Sequence, residues 1–211
     1  MKMKIVLFAL IAFMVSCSTT TKITGSWKAA DYTKGEEFKK IAVVTLAQNS
    51  TSQLIVEKTF VDRFKYLGYD AIPTSDFMVG EVVKKENAKM IDKMFKDRGV
   101  DAVIILSLLK VKDDVRYVQG STPYGPGSYY GGYYGYYYNN YNRMNNGYYE
   151  ETQSIFLESN FYDLREGKLI SSIQTQTVDP TGIDDLSQSF SKTILEKLIS
   201  QKLIDNNSVK K

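Results

Sequence analysis

The sequence predicts an α/β domain: a mixed five-stranded sheet in the order βαβαβ-ββα, three helices, and one long Tyr/Gly-rich hairpin insertion. Three observations predict it. Short continuous apolar runs alternate with segments of helical period from Phe38 to Leu109. Partly alternating segments joined by Arg165-Glu166-Gly167 follow, and a last helical face runs from Ile183 to Leu203. At 211 residues the chain is long enough for one ordinary core.

Taken in order, Ile41-Ala42-Val43-Val44-Thr45-Leu46 has no polar alternation, as expected of a strand covered on both faces. Ser50 with Gln53 has the spacing of a capping box. Leu54, Phe60, Val61, Phe64 and Leu67 then recur at helical spacing, and Gly68 supplies the stop. Tyr69 to Ile72 reads as a short strand ended by Pro73. Ser75 or Asp76 caps a turn, and a second helix with Ala88, Ile91, Met94 and Phe95 inward closes at Gly99. Val100 to Leu109 continues through Val111, Val115 and Tyr117 as a long strand. Helical crossovers make these three strands parallel with the first one central. Glu150 to Leu164 and Lys168 to Val178 then form a meander with the third strand, and the final helix covers the sheet.

Composition removes whole classes of chemistry. The chain has no His, which excludes imidazole acid/base catalysis, Ser-His and Cys-His nucleophile pairs and His-ligated metals. Its one Cys excludes an internal disulfide framework, Cys-rich zinc sites and iron–sulfur ligation. The acidic pairs Glu36-Glu37, Asp113-Asp114, Glu150-Glu151 and Asp184-Asp185 read as solvated charge. In a strand, adjacent side chains point to opposite faces and do not converge. No P-loop, Gly-x-Ser-x-Gly or Ser-x-x-Lys signature is present, and no metal or cofactor is expected. Asn49-Ser50-Thr51 fits a glycosylation sequon, but Ser50 has the better role as a cap. Among carboxylates, Asp101 and Asp163 near strand ends are the candidates for a hydrolase, the least favoured function.

The amino terminus carries an address. Lys2 and Lys4 precede an apolar run from Ile5 to Val15, too short to span a bilayer, which needs about 20 apolar residues. Met14-Val15-Ser16-Cys17 resembles the bacterial lipoprotein signal, with the sole cysteine at the modified position. The resemblance implies cleavage after residue 16, acylation of Cys17 by palmitate-type chains, and a membrane as partner. Two or more acyl chains hold stably where one is marginal, each buried methylene contributing about 0.8 kcal/mol. By the same resemblance Ser18, in place of an acidic residue, favours the periplasmic face of the outer membrane. Loss of Lys2 and Lys4 takes the formal charge from +3 to +1, leaving no basic footprint for nucleic acid.

The expected organisation is therefore a signal peptide over 1–16, a lipidated polar tether over 17–35, the α/β domain over 36–204, and a frayed tail over 205–211. Within the tether, Trp27 is expected to be a packing anchor. Between the third and fourth strands lies the insertion Gly120–Gly147, whose only charged residue is Arg143. Eleven of the sixteen Tyr fall between Gly120 and Tyr149. Gly prevents a fixed backbone and clustered Tyr without aliphatic partners builds no core, so a mobile tip is the bland reading. The sharper reading is a contact surface for an envelope protein or a peptidoglycan strand. It would use Tyr129, Tyr130, Tyr133, Tyr134, Tyr136, Tyr137 and Tyr138, because Tyr offers a ring face and a hydroxyl together.

Four stretches carry a wider resemblance: Ile41-Ala42-Val43-Val44, Leu67-Gly68-Tyr69-Asp70-Ala71, Gly99-Val100-Asp101-Ala102-Val103, and Phe161-Tyr162-Asp163-Leu164-Arg165-Glu166-Gly167-Lys168-Leu169-Ile170. With them the chain resembles a family of uncharacterised bacterial envelope lipoproteins. Its element order is similar to the periplasmic domain of the curli channel, the amino-terminal domain of the Tol-system propeller protein, and lipoprotein activators of peptidoglycan synthases. The resemblance implies a fold and, with no catalytic residue carried over, a lipid-anchored, non-enzymatic binding or scaffolding module. A peptidoglycan-binding protein acting through the Tyr-rich loop is the alternative.

Overall fold

The computed structural model describes residues 19–32, 37–47, 49–78, 88–118 and 148–207. Cys17, the segment before it and the insertion Gly120–Gly147 lie outside the described residues. The described elements are β1 (Thr21–Lys28), β2 (Lys40–Leu46), α1 (Ser50–Tyr66), β3 (Asp70–Pro73), a short 3-10 turn (Thr74–Asp76) and α2 (Ala88–Asp97). β4 (Ala102–Val118), β5 (Tyr148–Asp163), β6 (Lys168–Val178) and α3 (Ile183–Ser200) complete them.

The six strands form one mixed sheet in the order β1-β6-β5-β4-β2-β3. β2 lies parallel to both β3 and β4, with Ile41 opposite Ala71 on one side and Ala102 on the other. Among the described residues the mixed α/β class and three helices stand, but there are six strands where five are expected. The extra one is β1, which falls inside the segment expected to be a polar tether. It pairs antiparallel with β6 from Thr21↔Thr177 to Lys28↔Ser171, with a bulge between Ile23 and Gly25. An edge strand is held through its backbone and needs no apolar alternation, which is why a Thr/Ser/Lys-rich sequence can supply it. Trp27, expected to be packed, is half exposed on this strand, at 50%.

Burial explains the apolar runs. Ile41 and Val43 join Ala102, Ile104, Leu106, Phe161 and Ile173 beneath α1 and α3, where Phe60, Phe64, Phe190, Ile194 and Leu198 face them. Ala42, Val44 and Val103 point the other way, into a second cluster with Phe95, Val100, Ile91 and Met94 around α2. A strand with apolar neighbours on both faces must be apolar at every position. Phe60 and Phe190 meet edge to face at 5.4 Å, locking α1 to α3 across the main core.

Local signals are realised with small shifts. The cap of α1 is Asn49 rather than Ser50: its Oδ1 accepts from the N–H groups of Thr51 at 2.8 Å and Ser52 at 3.2 Å. The same side chain is the acceptor of the sequon, and its carbonyl oxygen is engaged on the helix. Gly68 ends α1 at φ +93°, where the Tyr69 N–H returns to the Phe64 carbonyl at 3.0 Å. The tail expected to fray is fixed through Asn207. Asp205 N–H donates to the Tyr69 hydroxyl at 2.6 Å, Asn207 N–H donates to the Leu67 carbonyl at 3.2 Å, and Leu203 and Ile204 are buried.

Contacts divide the chain into residues 1–110 with 155–211, and residues 111–154. In the second unit, Gln153 Nε2 donates to Asp113 Oδ1 at 3.0 Å, and Lys112 pairs with Asp114 at 2.7 Å. Among the described residues no helix is long and apolar enough to cross a membrane.

One buried carboxylate ties β2, α1 and the 3-10 turn together. Glu57 is fully buried, and its Oε1 accepts from Thr45 N–H at 2.9 Å, Gln53 Nε2 at 3.0 Å and Thr74 Oγ1 at 2.9 Å. Its Oε2 accepts from Ser75 N–H at 2.8 Å. Glu57→Ala strands those donors, so we expect a loss of about 3 kcal/mol or more in stability. The urea-unfolding midpoint reads it, and a midpoint within error of the wild type would refute the tie.

Candidate functional site

Three groups of residues qualify for inspection: the carboxylates Asp101 and Asp163, the polar seam where the chain enters the fold, and the acidic pairs.

Asp163 ends β5 and is buried to 1% exposure. Its Oδ1 accepts from the Arg165 N–H at 2.9 Å and Arg165 Nε at 3.0 Å. Its Oδ2 accepts from the Tyr32 hydroxyl at 2.9 Å and Arg165 Nη2 at 2.6 Å. The Arg165 guanidinium lies 4.5 Å from the centre of the Phe38 ring, which in turn meets Phe161 edge to face at 5.4 Å. The sequence builds this locally. Asp163 and Arg165 flank Leu164 at the mouth of the β5–β6 turn, and Gly167, at φ +66°, lets that turn close.

Electrostatics show what the arrangement does. Burial alone would raise the Asp163 pKa, but the Arg165 guanidinium and the Tyr32 hydroxyl outweigh it and hold the carboxyl below the usual value. Burial and the Asp163 carboxylate push the Tyr32 hydroxyl up to about 12. The Asp163 carboxylate raises the Arg165 guanidinium. A general acid must hold a proton near neutral pH, and a base needs a lone pair facing substrate. Asp163 is ionised, and both its oxygens are taken by this chain's own donors. It is a clasp joining the β1–β2 connection to the β5–β6 hairpin.

Asp101 is engaged in the same way. Its carboxylate accepts the N–H groups of Lys39 at 2.7 Å and Lys40 at 3.0 Å, and its own carbonyl accepts from Leu164 N–H at 2.9 Å. The structure places both hydrolase candidates at one end of the sheet and gives each a structural task. Among the described residues no group of three or more Cys, Asp or Glu could hold a metal ion.

In the acidic pair on β4 the two side chains have different partners, Gln153 for Asp113 and Lys112 for Asp114. In the one on α3, Asp185 accepts from the Thr19 hydroxyl and from Thr181 N–H at 2.9 Å. These bonds, the Thr19 hydroxyl first, draw its pKa below the usual carboxylate value. This pair marks the polar seam. Ser189 Oγ donates to the Thr19 carbonyl at 2.9 Å and accepts from Thr21 N–H at 2.9 Å. Thr21 and Thr177 share a hydroxyl–hydroxyl bond at 2.7 Å. Sequence reasoning missed this seam. Its trace was the spacing of Asp185, Ser189 and Thr193, four residues apart on one side of α3.

Cys17 and Tyr129, Tyr130, Tyr133, Tyr134, Tyr136, Tyr137 and Tyr138 lie outside the described residues. Cys17 is two positions ahead of Thr19, where description begins.

No protein-family model matches the chain, and no curated protein matches it. Among solved structures, the PelC dodecamer from Paraburkholderia phytofirmans is 9% identical, over 84% of this chain and 94% of that one, with a TM-score of 0.42. A variant of that dodecamer is 9% identical over 82% and 94%, with a TM-score of 0.41. Lipoprotein GNA1162 from Neisseria meningitidis is 12% identical over 77% of this chain and 99% of that one, with a TM-score of 0.39.

The depressed Asp163 pKa carries a sign. Its contribution to stability is complete above the unfolded-state value near 4 and is lost as pH falls through the lower folded-state value. We expect Asp163→Asn to cost about 2–3 kcal/mol at neutral pH. That difference should shrink towards zero below the ordinary carboxylate range. Urea midpoints of both proteins across the acid range measure it, and a gap that stays constant with pH would show that the charge is immaterial.

Proposed function

We propose that the chain is a lipid-anchored, non-enzymatic binding or scaffolding module of the bacterial cell envelope, held on the periplasmic face of the outer membrane through acylated Cys17. The observation that carries this reading is the sole cysteine, closing a lipoprotein-type signal and standing two residues ahead of Thr19, which is bonded to the fold. A thioether-linked diacylglycerol with an amino-terminal acyl chain supplies the two or more chains that stable anchoring needs.

The described body supports the non-catalytic part. Its carboxylates at the sheet end and under α1 are bonded to the chain's own N–H, hydroxyl and guanidinium groups, so they serve as fasteners. Contact with a partner then falls to the Tyr-rich insertion, whose rings and hydroxyls suit a protein surface or a glycan face.

The anchor is tested by metabolic palmitate labelling. Wild type should carry label and partition with membranes, whereas Cys17→Ala should do neither. Label on the variant, or none on the wild type, contradicts the reading. For the insertion, a chain lacking Gly120–Gly147 should melt as a folded protein yet lose the envelope proteins crosslinked to wild type in intact cells. Unchanged crosslinks would remove the insertion from the mechanism. Retention of wild type on purified sacculi, abolished by the same deletion, would select peptidoglycan as the partner.

A further inference from the structure

We infer that the outer surface of α3 from Asp185 to Glu196, between Thr19–Thr21 and Arg63, is the face that rests on the phospholipid headgroup layer. The inference rests on the lipid-anchor reading and adds an orientation to it.

It starts from chain length. Two residue steps separate Cys17 from Thr19 and reach at most about 7 Å when extended. From Thr19 onward the chain has no slack. The Thr19 hydroxyl is bonded to Asp185 and its carbonyl to Ser189, and Thr21 is bonded to Ser189 and Thr177. Thr193 Oγ1 adds a longer bond to the Thr21 carbonyl at 3.4 Å. An acyl anchor on Cys17 therefore draws down the part of the body beside Thr19, which is the amino-terminal half of α3.

The chemistry of that surface fits headgroups rather than acyl chains. Thr19, Thr21, Arg63, Gln188, Lys192 and Glu196 border an open depression of about 410 Å³. Arg63 Nη2 reaches across it from α1 to the Gln188 carbonyl at 3.1 Å and Oε1 at 2.8 Å, which fixes a cation at its rim. Lys192 and Gln188 are exposed beside it. Asp185 and the hydroxyls of Thr19 and Thr21 are bonded within the chain, so the side chains that face outward around the depression are those of Arg63, Gln188, Lys192 and Glu196. Such a surface hydrogen-bonds to phosphates and does not enter hydrocarbon.

The opposite end of the sheet provides the internal control. β6 runs from Lys168 to Val178 with Thr177 beside Thr21, so Lys168 lies nine residues from the seam, about 30 Å at strand rise. Its side chain is 61% exposed, and that of Lys96, on α2 across the sheet, is 70% exposed.

The experiment uses the lone thiol directly. The chain beginning at Cys17 is coupled to a maleimide phospholipid in vesicles of phosphatidylethanolamine and phosphatidylglycerol. Lysine acetylation rates are then read by mass spectrometry against the same protein with its thiol capped. Lys192 should react several-fold more slowly when coupled, while Lys96 and Lys168 keep their rates. A second variant carries a Gly/Ser spacer of about twenty residues between Ser18 and Thr19, which frees the body from the surface. In it Lys192 should return to the uncoupled rate. Equal Lys192 rates in the coupled and capped forms, equal slowing of all three lysines, or protection that survives the spacer would each overturn the orientation. Because the attachment is chemical, the result stands apart from whether cells acylate Cys17, which the palmitate experiment decides.

Discussion

The seam at Thr19–Thr21 is the constraint on which the rest of the account depends. Asp185, Ser189 and Thr177 take up the backbone and hydroxyls of the incoming chain as soon as it leaves the signal-type segment. Those bonds start β1, and β1 closes the outer side of the sheet by pairing with β6 along its whole length. The same bonds shorten the distance between sulfur and fold to two residues. A flexible segment of the length expected from the sequence, 17–35, would leave a mean separation of about 24 Å. The structure replaces that freedom with a strand, and the proposed lipid anchor thereby becomes a means of orienting the body as well as retaining it.

Carboxyl groups in the described body act as mechanical parts. Glu57 ties β2, α1 and the turn after β3, Asp101 holds the start of β2, and Asp163 clamps Tyr32 and Arg165 across the β5–β6 turn. Each carboxylate is satisfied by donors from the chain itself, which is how a buried charge avoids its desolvation cost. A catalytic carboxylate keeps a face open to substrate, and these do not. These bonds fasten two strand ends and the middle of α1 to their neighbours in the fold.

What the sequence made legible follows from which forces leave a local trace. Ile41 to Val44 and Ala102 to Leu106 read as strands because burial on two faces favours apolar side chains, whereas Leu46, Leu108 and Leu109 of the same runs are exposed. The last helix was readable because Leu186, Phe190, Ile194 and Leu198 must share a side. β1 was not readable, since an edge strand is held by ladder bonds that any side chains tolerate. The clasp was half readable: Asp163 drew notice as an acid near a strand end, but its partner Tyr32 is 131 positions away. Long-range hydrogen bonds leave no periodicity, and the Thr19–Asp185 contact, 166 positions apart, is the extreme case. The cap shifted by one residue, from Ser50 to Asn49, because two good capping residues stand side by side.

Neutron reflectometry of the protein coupled through Cys17 to a lipid of a supported bilayer tests the central claim most directly, because it measures the water layer between headgroups and protein. A body fixed two residues from its anchor should leave no resolvable water layer. A gap approaching the ~24 Å expected of a flexible nineteen-residue tether would contradict the account.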